Sequence, residues 1–168
     1  MAAPHAVDPY EFRRVMGHFP TGVSVLTTVH EGERHGMTAN SLTSVSLDPV
    51  MILACLACGA RTGLAIQKAG HFAVNLLAEH QEEMSRRFAR PGQDHFDGLD
   101  VIEGHRGLPL LPGCLGYLVC SVDDVVQAGD HDIVLGKVED CEANTNGGSP
   151  LVFFQGGYRT LPGMGRLG

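Results

Sequence analysis

At 168 residues, 43% of them hydrophobic and 18% charged, the chain can build one core but is short for two domains. A formal charge of −7, with Arg86-Arg87 the only adjacent basic pair in mid-chain, argues against a nucleic-acid partner. No apolar run approaches the roughly 20 residues that span a bilayer. Residues Met1 to Pro9 lack the basic start and apolar middle of a signal peptide. The cysteines (Cys55, Cys58, Cys114, Cys120 and Cys141) are odd in number and cannot all pair within one chain. Reduced thiols and a cytoplasmic protein follow as expectations.

In chain order, Gly22 to Val29 is β-branched and bounded by the turn Glu31-Gly-Glu33, which predicts a hairpin arm. Met37 to Asn40 begins the returning arm, and Ser41 to Leu47 extends or bends it. Asp48-Pro49 punctuates before a buried strand over Val50 to Leu56. Arg61 to Ala69 reads as a short helix closed by Gly70, and His71 to Leu77 as another strand. Glu79 to Ala89 is a polar helix with Met84 and Phe88 on one face. Pro91 to Gly113, rich in Gly, Pro and Asp, reads as a long surface loop. Leu115 to Ala128 and Asp132 to Ala143 read as two long strands, Asn144 to Pro150 as a turn, and Leu151 to Phe154 as a last strand. About six strands, two peripheral helices and no repeat predict a mainly β fold, an antiparallel barrel in one domain.

Three patterns look like chemistry and are read as structure. Cys55-Leu-Ala-Cys58 ends a buried strand and lacks the second pair that a zinc site needs, so its thiols are read as structural. The nine histidines include no pair in a convincing metal motif, and no metal is expected. Gly163-Met-Gly-Arg-Leu-Gly168 matches a dinucleotide glycine pattern, yet no strand-to-helix turn can follow it. It is read as a flexible tail.

The segment His35 to Pro49 is different. Thr38, Asn40, Ser41, Thr43, Ser44 and Ser46 bring many hydrogen-bonding groups and no charge, which suits a flat, neutral, heteroatom-rich ligand. Read with Phe19-Pro-Thr-Gly-Val23, Gly36-Met-Thr-Ala-Asn-Ser41, Ser44-Val-Ser-Leu-Asp-Pro49, Phe72-Ala-Val-Asn75, Arg86-Arg-Phe-Ala89, Ala128-Gly-Asp-His131 and Gly157-Tyr-Arg159, the chain resembles the flavin reductases that supply two-component monooxygenases. These blocks run in order over roughly Tyr10 to Leu161.

The resemblance implies an FMN-binding split barrel, a homodimer, and hydride transfer from NADH or NADPH to FAD or FMN, with reduced flavin passing to a separate monooxygenase. It places Thr38, Ala39, Asn40 and Ser41 along the isoalloxazine ring, with Ser44 and Ser46 holding that loop or reaching the ligand. It places Cys55 to Thr62 against the ribityl and phosphate groups, with Arg61 and Thr62 as donors. Ala60 departs from the family, which often has serine there, and this leaves FMN against FAD open. His131, oriented by Asp130, and Tyr158 are implied at the nicotinamide, His131 being the one candidate catalytic side chain. Hydride transfer needs stacking and close approach rather than a side-chain nucleophile. The alternative is a protein that binds or stores flavin without reducing it.

Overall fold

The computed structural model describes residues 6–92, 94–146 and 148–161. The glycine pattern at 163–168 and the first five residues lie outside them. The chain opens with α1 (Pro9–Met16), which Asp8 caps by accepting a 3.0 Å hydrogen bond from the Tyr10 amide, with proline at the start of the helix. The sequence reading had no element here.

Short β1 (Thr21–Gly22) is followed by the hairpin of β2 (Ser24–His30) and β3 (Glu33–Ala39). Its turn puts Glu31 and Gly32 at positive φ, as a tight two-residue hairpin loop requires. Edge strand β4 (Thr43–Leu47) returns through Asp48-Pro49 into β5 (Val50–Ala57). Then come α2 (Arg61–Ala69), β6 (His71–Leu76) and α3 (Glu82–Ala89). Beyond β7 (Ile102–Glu103) and β8 (Pro109–Leu110), the long strands β9 (Gly116–Ala128) and β10 (His131–Ala143) form a hairpin, and β11 (Val152–Phe154) pairs with β12 (Gly157–Arg159).

Seven strands make one antiparallel sheet in the order β3-β2-β6-β9-β10-β5-β4. The fold is mainly β with short peripheral helices, as expected for the split barrel. The chain crosses from β3 at one end of this sheet to β4 at the other through Asn40, Ser41 and Leu42, and Ser41 fastens that crossing to β5. Its Oγ donates to the Cys55 carbonyl at 2.9 Å and accepts from the Cys55 amide at 3.0 Å.

Inside the barrel, Leu26, Ile52, Ala54, Leu56, Phe72, Val74, Cys120 and Val134 pack with Ile66 of α2. The outer faces of β2, β6 and β9 are covered as well. Val25, Leu77 and Phe88 pack with Phe96, Leu111 and Leu151, while Ala73 and Val119 pack with Leu108 and Leu110. Burial on both faces takes in polar side chains of β2 as well, where Ser24, Thr27 and Thr28 are buried and each donates to a backbone carbonyl.

This outer layer corrects the expectation of a surface loop over 91–113. Phe96, Leu108, Leu110 and Leu111 are buried, and β7 pairs with β8. The glycines and prolines made the stretch look like a loop, but its apolar residues roof the sheet. Buried Asn75 fastens that roof. Its Nδ2 donates to the Val25 carbonyl and to Thr27 Oγ1, its Oδ1 accepts from the Leu111 amide at 2.8 Å, and Thr27 donates to the Pro109 carbonyl at 2.6 Å.

Candidate functional site

A cleft of about 1150 Å³ opens along the free edge of β3, between the start of α2 and the end of α3 with the loop after it. That volume suits a ligand of cofactor size. Its walls combine the Glu33–Asn40 backbone and side chains with Ala60, Arg61, Thr62, Phe88, His95, Phe96 and, from the C-terminal hairpin, Phe153 and Tyr158. An aromatic floor beneath a polar rim is the chemistry of a flat heterocycle with a charged tail.

The floor is a ring stack. Phe88 lies edge-on to Phe96 at 5.1 Å and tilted against His95 at 5.2 Å. Gly36 faces it, because a Cβ there would stand 2.4 Å from Phe88 Cε1. Thr62 anchors α2 to the same strand by donating to the Gly36 carbonyl at 3.0 Å. The Thr38 hydroxyl donates to the Ser85 carbonyl of α3 at 2.6 Å, and Ser85 Oγ lies 2.7 Å from the Tyr158 hydroxyl. Arg86 stacks over the Tyr158 ring at 4.9 Å. Thr38 and Tyr158, far apart in sequence, are thus held by one residue of α3.

At the rim, Arg61 Nη2 lies 3.4 Å from Glu33 Oε2, and both side chains are about 70% exposed. Burial and then the Arg61 charge lower the His35 pKa, with Glu33 acting the other way, which leaves the ring neutral near pH 7. Ala60 gives the start of α2 no side-chain cap.

Of the residues the sequence pointed to, Thr38, Ala39, Asn40, Arg61, Thr62 and Tyr158 line this cleft. Asn40 spends one donor on Thr21 Oγ1 at 3.2 Å, and its amide oxygen takes no hydrogen bond from the described residues. Ala39 is buried, and its carbonyl accepts from Ser24 Oγ. Ser41, Ser44, Ser46, Cys55 and His131 stand outside the lining. The Ser41 and Cys55 polar groups are joined to each other at the barrel seam. Ser44 is exposed on edge strand β4, and Ser46 Oγ accepts from the Asp48 amide at 3.2 Å. His131 opens β10 at the hairpin tip, its Nδ1 2.7 Å from Asp130 Oδ1. That hydrogen bond, with the imidazole charge, lowers the Asp130 pKa.

The sequence does not single out Glu33, Ser85, His95 or Phe96, and it marks His35 and Gly36 only as part of the segment around Thr38. Arg86-Arg-Phe-Ala89 was the available signal for the α3 wall. Nothing local marks Ser85 or Phe96, whose roles depend on contacts across the fold. Among the described residues no group of His, Cys, Asp and Glu side chains is arranged to hold a metal.

The model of the flavin reductase like domain matches residues 16–162. The chain belongs to that family. It is 42% identical over 154 residues to a probable flavin reductase of Rhizobium meliloti, covering 91% of this chain but only 49% of that longer protein. It is 37% identical to the reductase subunit HsaB of a flavin-dependent monooxygenase in Rhodococcus jostii, over 93% of this chain and 80% of that one. The solved structure of the Streptomyces globisporus NADH:FAD oxidoreductase SgcE6, in complex with NAD and FAD fragments, superposes with a TM-score of 0.87 at 38% identity, covering 94% of this chain and 97% of that one. The activity class is that of an oxidoreductase, as the sequence resemblance implied.

Proposed function

We propose that this chain oxidises NADH or NADPH and reduces free FAD or FMN, which then leaves to serve a separate flavin-dependent monooxygenase. The observation that carries this reading is the cleft itself, where Thr38, Ala39 and Asn40 form one wall, Arg61 and Thr62 stand at the rim and Tyr158 closes the far side. The residues fit a flavin: an aromatic and apolar floor for a ring, uncharged hydrogen-bonding groups beside it, and a cation at the mouth for phosphate.

A bound flavin supplies the hydride acceptor. The chain contributes position: the Asn40 amide orients a polar ring edge, Arg61 attracts phosphate, and the Phe88–Phe96 floor excludes water. Ser41 and Cys55 hold the seam behind that wall, and Ser44 and Ser46 hold β4 and its turn. His131, oriented by Asp130, serves the nicotinamide from the hairpin tip, and Tyr158 serves it from inside the cleft.

The working unit in this reading is a homodimer of single-domain chains. Tyr10, Phe12, Val15, Met16 and Phe19 are exposed around α1, which buries none of its own residues; such a face is costly to leave in water. Five free cysteines and the absence, among the described residues, of a helix long and apolar enough to cross a membrane support a cytoplasmic location.

The test is NADH oxidation by the purified protein in air, with FAD and FMN added in turn. Turnover that depends on added flavin supports the reductase, and the better flavin is the one it releases. No oxidation with either flavin, or with NADPH in place of NADH, overturns it. A flavin spectrum retained without turnover would leave the storage protein.

A further inference from the structure

The cleft mouth carries a cation that is already occupied. Arg61 is the first residue of α2 and Glu33 the first of β3, and they meet across the rim at 3.4 Å. The contact is long for a hydrogen bond, and water reaches both partners. An ion pair of that kind adds little to folding stability, so keeping it is not explained by the fold. His35 lies on the same face of β3 as Glu33 and feels the charges of both Arg61 and Glu33. His30, paired with Glu33 across the hairpin, completes the group.

An incoming phosphate meets this pair in two ways. Its oxygens can take the guanidinium bidentately, which a single carboxylate oxygen at 3.4 Å does not. In doing so it must push aside a like charge at the same guanidinium. A ligand without phosphate has neither the gain nor the cost. Alanine at position 60 brings no hydroxyl to the start of α2, and the Thr62 hydroxyl is already committed to the Gly36 carbonyl.

Resting on the reading of this cleft as the flavin and nicotinamide site, we propose that Glu33 is a specificity-determining residue: its carboxylate holds Arg61 until a phosphate-bearing ligand displaces it, and so sets how strongly phosphate is preferred. The consequence is a deliberately loose grip on the phosphate end, which suits an enzyme whose reduced product must leave. The shared chemistry is a phosphate group, which can arrive on the flavin or as the 2′-phosphate of NADPH.

The experiment compares the full chain with Glu33→Gln, which keeps the size and removes the charge. Riboflavin and FMN are titrated by flavin fluorescence, and KM is measured for NADH and NADPH. If the phosphate arrives on the flavin, Glu33→Gln tightens FMN about 3- to 10-fold and moves riboflavin less than about 2-fold. If it is the 2′-phosphate, the NADPH to NADH ratio of KM falls by a similar factor while the flavin ratio stays put. Adding Arg61→Ala abolishes the selective gain in either case. Both ratios unchanged, or all ligands shifted equally, overturns the proposal while wild-type turnover leaves the reductase reading standing. A wild type that neither quenches flavin fluorescence nor oxidises NADH overturns that reading, and this proposal with it.

Discussion

Two polar clusters flank the β2–β3 hairpin, and they are built on opposite terms. Around Asn75, every partner is buried and every side-chain polar atom is matched, across strand, strand and roof. At the cleft mouth, Arg61 and Glu33 are exposed and joined by one long contact. A buried amide left without its partner costs far more than an exposed ion pair gains. The first cluster therefore serves the fold, and the second has freedom to serve a ligand. The same logic separates Ser41, whose hydroxyl is used up at the seam, from Asn40 beside it, which retains an acceptor.

The largest effect should come from breaking the buried side. Asn75→Ala strands the Leu111 amide and takes a side-chain donor from the Val25 carbonyl and Thr27 Oγ1, and should cost about 2–3 kcal/mol in urea unfolding. Flavin affinity per folded molecule should hardly change. Gly36→Ala comes next. Its Cβ would stand 2.4 Å from Phe88 and 3.2 Å from Phe96, so about 1–3 kcal/mol of overpacking is expected, with a raised KM for the nicotinamide because the floor must shift. Ser85→Ala should cost about 1 kcal/mol. It frees Tyr158 while the Ser85 carbonyl still receives Thr38. Tyr158→Phe should reproduce the loss, which urea unfolding of both variants would check.

Arg61→Ala belongs at the other end. Its stability change should stay within about 0.5 kcal/mol, while FMN binding weakens relative to riboflavin in a fluorescence titration. A stability loss as large as that of Asn75→Ala would erase the contrast between the two clusters.

The thiols sharpen the same contrast. Burial pushes Cys114 up to about 11 and Cys120 up to about 12. Neither should react with a thiol reagent at pH 8 until the chain unfolds, whereas exposed Cys141 should react at once. Because both buried groups titrate higher in the folded chain than in the unfolded one, their contribution is full below about pH 9 and is lost as pH rises through their folded values. Alkaline unfolding should show that loss.

The strands were legible because their β-branched runs end at clear punctuation, as at Asp48-Pro49 and Gly70. The α2 helix was legible from the Gly70 that closes it, and α3 from the four-residue spacing of Met84 and Phe88. The roof was not, since Phe96, Leu108 and Leu111 are scattered among glycines and prolines and gain meaning only against Val119 and Asn75. In the cleft, Thr38 and Asn40 were found through the block Gly36 to Ser41, and Arg61 through the Cys55 to Thr62 stretch that the resemblance implies. Glu33 and Ser85 were not, because a charge on a hairpin and a serine on a polar helix look like ordinary surface until the fold brings Arg61 and Tyr158 beside them. His131 and Ser44 show the converse: neighbours in a motif need not line one cavity.

The most direct test is a crystal structure of the chain with FAD and the unreactive oxidised dinucleotide NAD+ soaked in together. The account predicts ligand density in the cleft along β3, within hydrogen-bond reach of Asn40 and Arg61, with the Glu33 carboxylate turned away. Well-ordered flavin bound elsewhere, with the Arg61–Glu33 pair intact and the cleft empty, would contradict it.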